Sequence, residues 1–263
     1  MNDFEFHRPA SVADATRLIA AAADGRFLAG GQSLLPAMKM GLSAPSDLVE
    51  VSRIPELKGI CVDAGIVHVG AATSHAAVAA SAEVARAIPA LAALADGIGD
   101  RSVRAVGTLG GSLALNDPAA CYPAAVLGLG ATVRTDRRTI PADAFFKGMY
   151  ETALEPGELI VEVAFPVPQQ AAWVKFKQPA SRFSLVGVFV SRGPSGVRVA
   201  VTGAGACVFR VPALEAALAR EWSAAACAGV TVSADGLNTD LHASAEYRAH
   251  LIGVLCRRAV AAT

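Results

Sequence analysis

Two glycine-rich stretches decide how this chain is read: Ala29-Gly30-Gly31-Gln32-Ser33-Leu34-Leu35 and Val106-Gly107-Thr108-Leu109-Gly110-Gly111-Ser112-Leu113. Each follows or interrupts an apolar run and sets adjacent glycines beside a hydroxyl residue. Glycine lets the main chain approach a ligand with no Cβ in the way, and successive N–H groups at such turns converge on an anion. Neither stretch is the dinucleotide fingerprint Gly-x-Gly-x-x-Gly, and neither carries the Lys-Ser/Thr of a P-loop. Taken singly, each reads equally well as a tight turn at a crowded strand end. Two of them, on segments able to face each other, point to a cofactor with a diphosphate.

Outward from the first stretch, Ser11 reads as the N-cap of a helix over residues 11–23, with Val12, Ala15, Ile19 and Ala22 at helical spacing and Gly25 as its stop. Phe27-Leu28-Ala29 is a short strand entering the glycines, and Asp47–Val51 is a second strand. Beyond Gly59, Ile60–Val62 and Ile66–Val69 flank Asp63-Ala64-Gly65 as a hairpin. An Ala-rich helix is predicted from Ala82 to Ala95, closing at Gly97. After the second stretch, Asp117-Pro118 reads as a cap with proline at the first helical position, opening a helix from Ala119 to Leu129. A hairpin (Ala131–Thr135 with Ile140) and a strand (Leu159–Phe165) follow, and Pro166–Gln170 reads as a linker. Three strands are predicted next, at Trp173–Gln178, Ser184–Ser191 and Val197–Ala206. Helices are predicted at Pro212–Arg220, Ser223–Cys227 and Ser244–Ala261. The division this implies is 1–56, 57–168 and 169–263.

Composition limits the function classes. At 53% hydrophobic and 17% charged residues, disorder is excluded. Lys plus Arg and Asp plus Glu both number 23, so no basic excess marks a nucleic-acid binder. No apolar run approaches the ~20 residues of a spanning helix. Met1–Phe6 has no basic region followed by an apolar one, so it does not read as a secretory signal. The five cysteines, Cys61, Cys121, Cys207, Cys227 and Cys256, are scattered, with no Cys-x-x-Cys and no Cys/His cluster. That predicts reduced thiols in a cytoplasm, with no metal or iron–sulfur centre in this chain.

No serine nucleophile has a partner, and no acid/base pair stands out, which fits a protein whose cofactor does the chemistry. Asp117 reads as a cap, and Asn116 as a cap neighbour or a donor to a ribityl hydroxyl or ring edge. Alternation in Lys175-Phe176-Lys177 places the two lysines on one face. That face is solvated, or it brings Lys177 to a flavin carbonyl, where positive charge stabilises the reduced ring.

Several segments together resemble one family. They are Ala29–Pro36, Ile98-Gly99-Asp100-Arg101-Ser102-Val103-Arg104, Gly107–Ala114, Asn116–Ala120, Thr152–Glu158, Lys175-Phe176 with Pro179–Phe183, and Ala245-Glu246-Tyr247-Arg248. In this order they resemble the FAD-binding medium subunit of the molybdenum hydroxylases, the xanthine dehydrogenase and aerobic carbon monoxide dehydrogenase family. The resemblance implies an α+β fold. A small α/β unit and a larger, mainly antiparallel α+β unit form a two-part FAD-binding region of the vanillyl-alcohol-oxidase/PCMH type. A three-stranded sheet with a helical bundle follows it.

The resemblance implies that FAD lies between the first two units. Ala29, Gly30, Gly31, Gln32, Ser33 and Leu34 on one side, and Thr108, Leu109, Gly110, Gly111 and Ser112 on the other, meet its diphosphate and ribityl chain. Asn116 and Asp117 complete that region. Ile160 packs on the isoalloxazine, Lys177 lies near the ring and Phe183 beside it. Two positions depart from the family pattern: Cys121 replaces a common aspartate, and a thiol does not accept hydrogen bonds as a carboxylate does; Ala105 replaces a usual Asn or His. The implied partners are a small subunit with [2Fe–2S] clusters and a large molybdenum-cofactor subunit, in a dimer of heterotrimers. Electrons pass through this chain's FAD to a terminal acceptor. Two other readings stay open, a stand-alone FAD or nicotinamide oxidoreductase and a flavin-less scaffold that keeps the fold.

Overall fold

The computed structural model describes residues 2–263. The first unit is a small parallel sheet built from β1 (Glu5–His7), α1 (Val12–Ala21), β2 (Gly25–Leu28), α2 (Leu34–Lys39) and β3 (Asp47–Glu50). Its order is β1-β3-β2, and both pairings are parallel. Ser11 caps α1 by accepting the Asp14 N–H at 3.1 Å. The helix ends at extended Ala22, and Gly25 opens β2 instead of stopping the helix. Ala15 and Val49 are fully buried and share a core with Ile54, Leu57, Leu159 and Val161, so residues far downstream complete this unit. At three residues, β1 is too short to show a period in the sequence.

The second unit begins after a 3-10 turn at Pro55–Leu57. The hairpin of β4 (Ile60–Asp63) and β5 (Ile66–Gly70) turns through Ala64 and Gly65, both at positive φ, as a two-residue primed turn requires. Short helices follow: α3 (His75–Ala80), α4 (Ala82–Ala87), α5 (Pro89–Asp96), α6 (Arg101–Val106), α7 (Leu109–Leu115) and α8 (Tyr122–Leu129). Then come β6 (Thr132–Thr135), β7 (Thr139–Pro141), α9 (Ala142–Phe145), β8 (Phe146–Gly148), β9 (Glu151–Thr152) and β10 (Ile160–Pro166). The sheet order is β4-β5-β10-β6-β7, antiparallel throughout, and β8–β9 form a separate small hairpin.

Two helices differ from expectation. The Ala82–Ala95 run is split, because Ile88 precedes Pro89 and leaves the helical region (φ −140°, ψ 74°). Asp117 caps no helix over 119–129. Its Oδ1 accepts the Ala119 N–H at 2.8 Å within a turn, and α8 starts at Tyr122. The carbonyls a helix would have used there are already taken. Pro118 O accepts from Gly203 N and Thr202 Oγ1, and Ala120 O accepts from Thr202 Oγ1. Every residue of α8 is buried, as befits a helix apolar on all sides.

The third unit is a sheet of β11 (Gln170–Lys177), β12 (Ser184–Gly193), β13 (Gly196–Thr202) and β14 (Phe209–Arg210), covered by α10 (Pro212–Arg220) and α11 (Ala245–Ala261). Four strands replace the expected three, and two helices replace a bundle, because Ser223–Cys227 forms turns. Arg248, only 2% exposed, pins α11 to the sheet by donating to Leu185 O, Gly203 O and the Asp240 carboxylate. Phe189 and Ala200 of this sheet belong to the same core as α8, so the second and third units are packed into each other.

Candidate functional site

The chain leaves β2 and turns sharply at Gly30-Gly31. Among the described residues, the N–H groups of Gly30, Gly31, Gln32 and Ser33 have no acceptor within the chain. Gly31 sits at φ +66°, where a side chain is strained, and Gln32 Nε2 steadies the turn by donating to Gly30 O at 3.2 Å. Ser33 is exposed and its hydroxyl makes no capping bond to α2. The result is a row of unspent donors, exposed at Gln32 and Ser33, with a free hydroxyl beside them.

The second stretch is built differently. It is the first turn of α7 rather than a free glycine turn. Thr108 is its N-cap, accepting the Gly111 N–H at 3.2 Å. Leu109 N donates to Thr73 O and Gly110 N to Ala71 O, so these amides hold α7 against the strand end before α3. Ser112 N is bound to Thr108 O, while exposed Gly111 offers bare backbone surface. Gly110 is required by packing, since a Cβ there would lie 2.7 Å from Ala71 Cβ.

The two stretches touch. A Cβ on Gly30 would fall 2.7 Å from Gly107 Cα and closer still to the Val106 carbonyl oxygen. A Cβ on Gly111 would stand 3.8 Å from Ala29 Cβ, in ordinary contact. The free donors of one unit and the bare helix start of the next therefore lie side by side, as the two walls of a candidate recess.

His75, not foreseen from the sequence, underlies the second wall. Its N–H donates to Gly107 O at 2.9 Å, and its ring occupies the space a Gly107 side chain would need. Burial, with the Arg104 charge, pushes its pKa down to about 4, so the imidazole is neutral at pH 7. It lies on α3, well upstream of Gly107, and no local pattern marks it.

The remaining expected residues divide. Leu34 opens α2 at the edge of the first wall. Asn116 is wholly buried at φ +48°, and its amide donates to Gly148 O and Glu151 O, each at 2.8 Å. That amide fastens the β8–β9 hairpin instead of reaching outward to a ribityl hydroxyl. Asp117 is half-buried, and Tyr150, at the hairpin tip, donates its hydroxyl to Asp117 Oδ2 at 3.4 Å. Ile160 is 3% exposed within the core of the second unit and offers a ring almost no surface. Lys177 and half-exposed Phe183 flank the β11–β12 loop. Lys177 lines a cleft of about 390 Å³ with Asp96, Gly97, Gly99, Arg104 and Arg182. Arg104 belongs to α6, which ends at Gly107, so one helix links the cleft to the second wall in sequence. Three cations against one carboxylate make it positive. Lys175 shares the face of Lys177, but it is bound inward, to Gly97 O at 2.8 Å and Cys121 Sγ at 3.3 Å.

The recess suits FAD: four unspent N–H donors fit a diphosphate without a basic cluster, and the positive cleft fits the electron-accepting end of a flavin. Comparison with known proteins agrees. The family described as the FAD binding domain in molybdopterin dehydrogenase matches residues 2–168. The chain is 34% identical to the carbon monoxide dehydrogenase medium chain of Hydrogenophaga pseudoflava, covering 98% of this chain and 96% of that one. It is 36% identical to the nicotine 6-hydroxylase medium subunit of Paenarthrobacter nicotinovorans, over 96% and 94% of the respective chains. The solved structure of the Hydrogenophaga pseudoflava carbon monoxide dehydrogenase superposes with a TM-score of 0.89 at 34% identity, covering 99% of this chain and 97% of that chain.

The fold and site thus define an FAD-binding subunit of an oxidoreductase. The chain belongs to the medium-subunit family of the molybdenum hydroxylases. None of its described helices is long and apolar enough to cross a membrane. No group of three metal-ligating side chains converges among the described residues.

Proposed function

We propose that this chain holds FAD between the Ala29–Leu34 turn and the Thr108–Ser112 helix start. It passes electrons from the [2Fe–2S] clusters of a small subunit to a terminal acceptor. A large molybdenum-cofactor subunit carries the substrate chemistry, within a dimer of heterotrimers in the cytoplasm. The observation that supports the reading is the contact of the two glycine stretches, together with the unspent donors of Gly30 to Ser33.

FAD, when bound, supplies one- and two-electron redox chemistry. The chain's own residues bind and orient. The N–H row holds the diphosphate, and Gly31 keeps those donors on one side of the turn. Thr108 fixes α7 so that Gly111 presents backbone to the ligand. Lys177, with Arg104 and Arg182 lining the same cleft, would supply positive charge that stabilises the reduced form of a flavin held there. Phe183 shields one side of that region. Asn116 and Asp117 position the β8–β9 hairpin beside it. The site has no general acid or base of its own, in keeping with a relay.

The test is reduction of the flavin followed by its absorbance under anaerobic conditions. In the assembled complex, dithionite-reduced [2Fe–2S] subunit bleaches the flavin, and small organic substrates offered to this chain alone leave it oxidised. Substrate-dependent bleaching of the isolated chain would establish a stand-alone oxidoreductase instead. Purified chain without flavin bands after addition of FAD would establish a scaffold.

A further inference from the structure

Lys175 and Cys121 meet across the boundary between the second and third units. Lys175 Nζ, on β11, lies 3.3 Å from Cys121 Sγ at the start of α8, and a second bond, to Gly97 O at 2.8 Å, holds the amine in place. Cys121 is 5% exposed, and its other polar neighbour is Ser184 Oγ at 3.6 Å. The contrast with the other thiols is chemical. Cys227 and Cys256 lie 3.7 Å from each other, so oxidation of either leads towards a disulfide, whereas Cys61 is exposed at the surface. Among the described residues, only at Cys121 does an aliphatic amine sit beside the sulfur. Gly97, whose carbonyl holds the Lys175 amine, also lines the positive cleft.

We propose that Cys121 and Lys175 form a covalent sulfur–nitrogen cross-link when a hydroperoxide oxidises the thiol. In the first step, the thiol attacks the peroxide oxygen. The O–O bond breaks, sulfur gives up two electrons, and sulfenic acid results together with the alcohol of the hydroperoxide, or water when the oxidant is hydrogen peroxide. In the second step, the Lys175 amine attacks that sulfur. The S–N bond forms as the S–O bond breaks, hydroxide leaves as water, and the ammonium's extra proton goes to solvent. The amine performs here what a backbone nitrogen does in sulfenamide formation. Its fixed position favours capture over further oxidation, because the reacting atoms are already in near contact. The product ties β11 of the third unit to the start of α8 in the second. Two equivalents of an added thiol return the free cysteine and amine.

The experiment uses the assembled complex treated with hydrogen peroxide, digested with trypsin without reductant and analysed by mass spectrometry. The expected result is a Cys121 peptide joined to a Lys175 peptide, two hydrogen atoms lighter than their sum. Cleavage after Lys175 is lost, and dithiothreitol releases both peptides. Lys175→Arg keeps the positive charge and forms no link. Oxidation of exposed Cys61 in the same digest certifies the dose. With Cys61 oxidised, recovery of Cys121 as free thiol or sulfinic acid with Lys175 still cleavable would overturn the proposal. So would joined peptides carrying an added oxygen atom.

Discussion

The two glycine stretches look alike in sequence and work in opposite ways. In Ala29–Ser33 the amides are unspent and turned outward, with Gly31 at positive φ. In Thr108–Ser112 they are spent on Thr108, Ala71 and Thr73, and the glycines serve closeness rather than donation. A pair of glycines in sequence therefore reports that something approaches the backbone. It does not report whether that something is a ligand or the protein itself. Gly30 and Gly110 are bare because other backbone lies against them. Gly111 is bare towards the recess.

Substitutions separate these roles. Gly30→Val drives a side chain into the Val106–Gly107 backbone, so we expect loss of FAD together with destabilisation of about 3 kcal/mol or more, read by flavin absorbance and urea denaturation. Acid acts next, and only on the second wall. His75 is neutral when folded and binds a proton more readily once unfolded, so its contribution is full above 6.5 and is lost as pH falls towards about 4. Near pH 5 the loss amounts to about 2 kcal/mol. Hydrogen exchange is expected to quicken at Gly107–Gly111 and to stay unchanged over Val49–Val51.

Gly110→Ala presses its methyl on Ala71 and costs about 1–3 kcal/mol. Gly111→Ala presses on Thr108 Oγ1 at 2.9 Å and so costs no more than that cap, about 1 kcal/mol, while weakening FAD retention. The smallest effects compare the two hydroxyls. Thr108→Val removes a cap worth about 1 kcal/mol, whereas Ser33→Ala, which breaks no capping bond, changes stability by less than about 0.5 kcal/mol. Equal costs at 108 and 33 would break the comparison.

Much of this was legible in the sequence, for physical reasons that differ by element. The β4–β5 hairpin and the long strands β10 to β13 follow from apolar runs bounded by turn residues, which are local. The start of α8 was not legible, because Asp117-Pro118 has the chemistry of a cap while Thr202 and Gly203, more than eighty residues away, claim the carbonyls that follow it. Asn116 was misread for a similar reason: its partners, Gly148 and Glu151, lie on a hairpin too short to have a period. His75 and Arg104 acquire their places by packing under Gly107 and against the loop at Ile98 and Gly99, and no spacing near either residue announces that. The glycine pairs were legible as places of close backbone approach; their division of labour required the hydrogen bonds.

The most direct measurement is the flavin content of purified Gly111→Val complex beside its thermal melting curve. Because Gly111 is exposed and its Cβ would press only on the cap oxygen, at 2.9 Å, with Ala29 at 3.8 Å, the substitution displaces no more than the Thr108 cap and the fold should survive. The expected result is a melting curve close to that of the unmodified protein with flavin absorbance largely gone. Full flavin occupancy in a folded Gly111→Val protein would contradict the claim that the two glycine stretches clasp FAD between them.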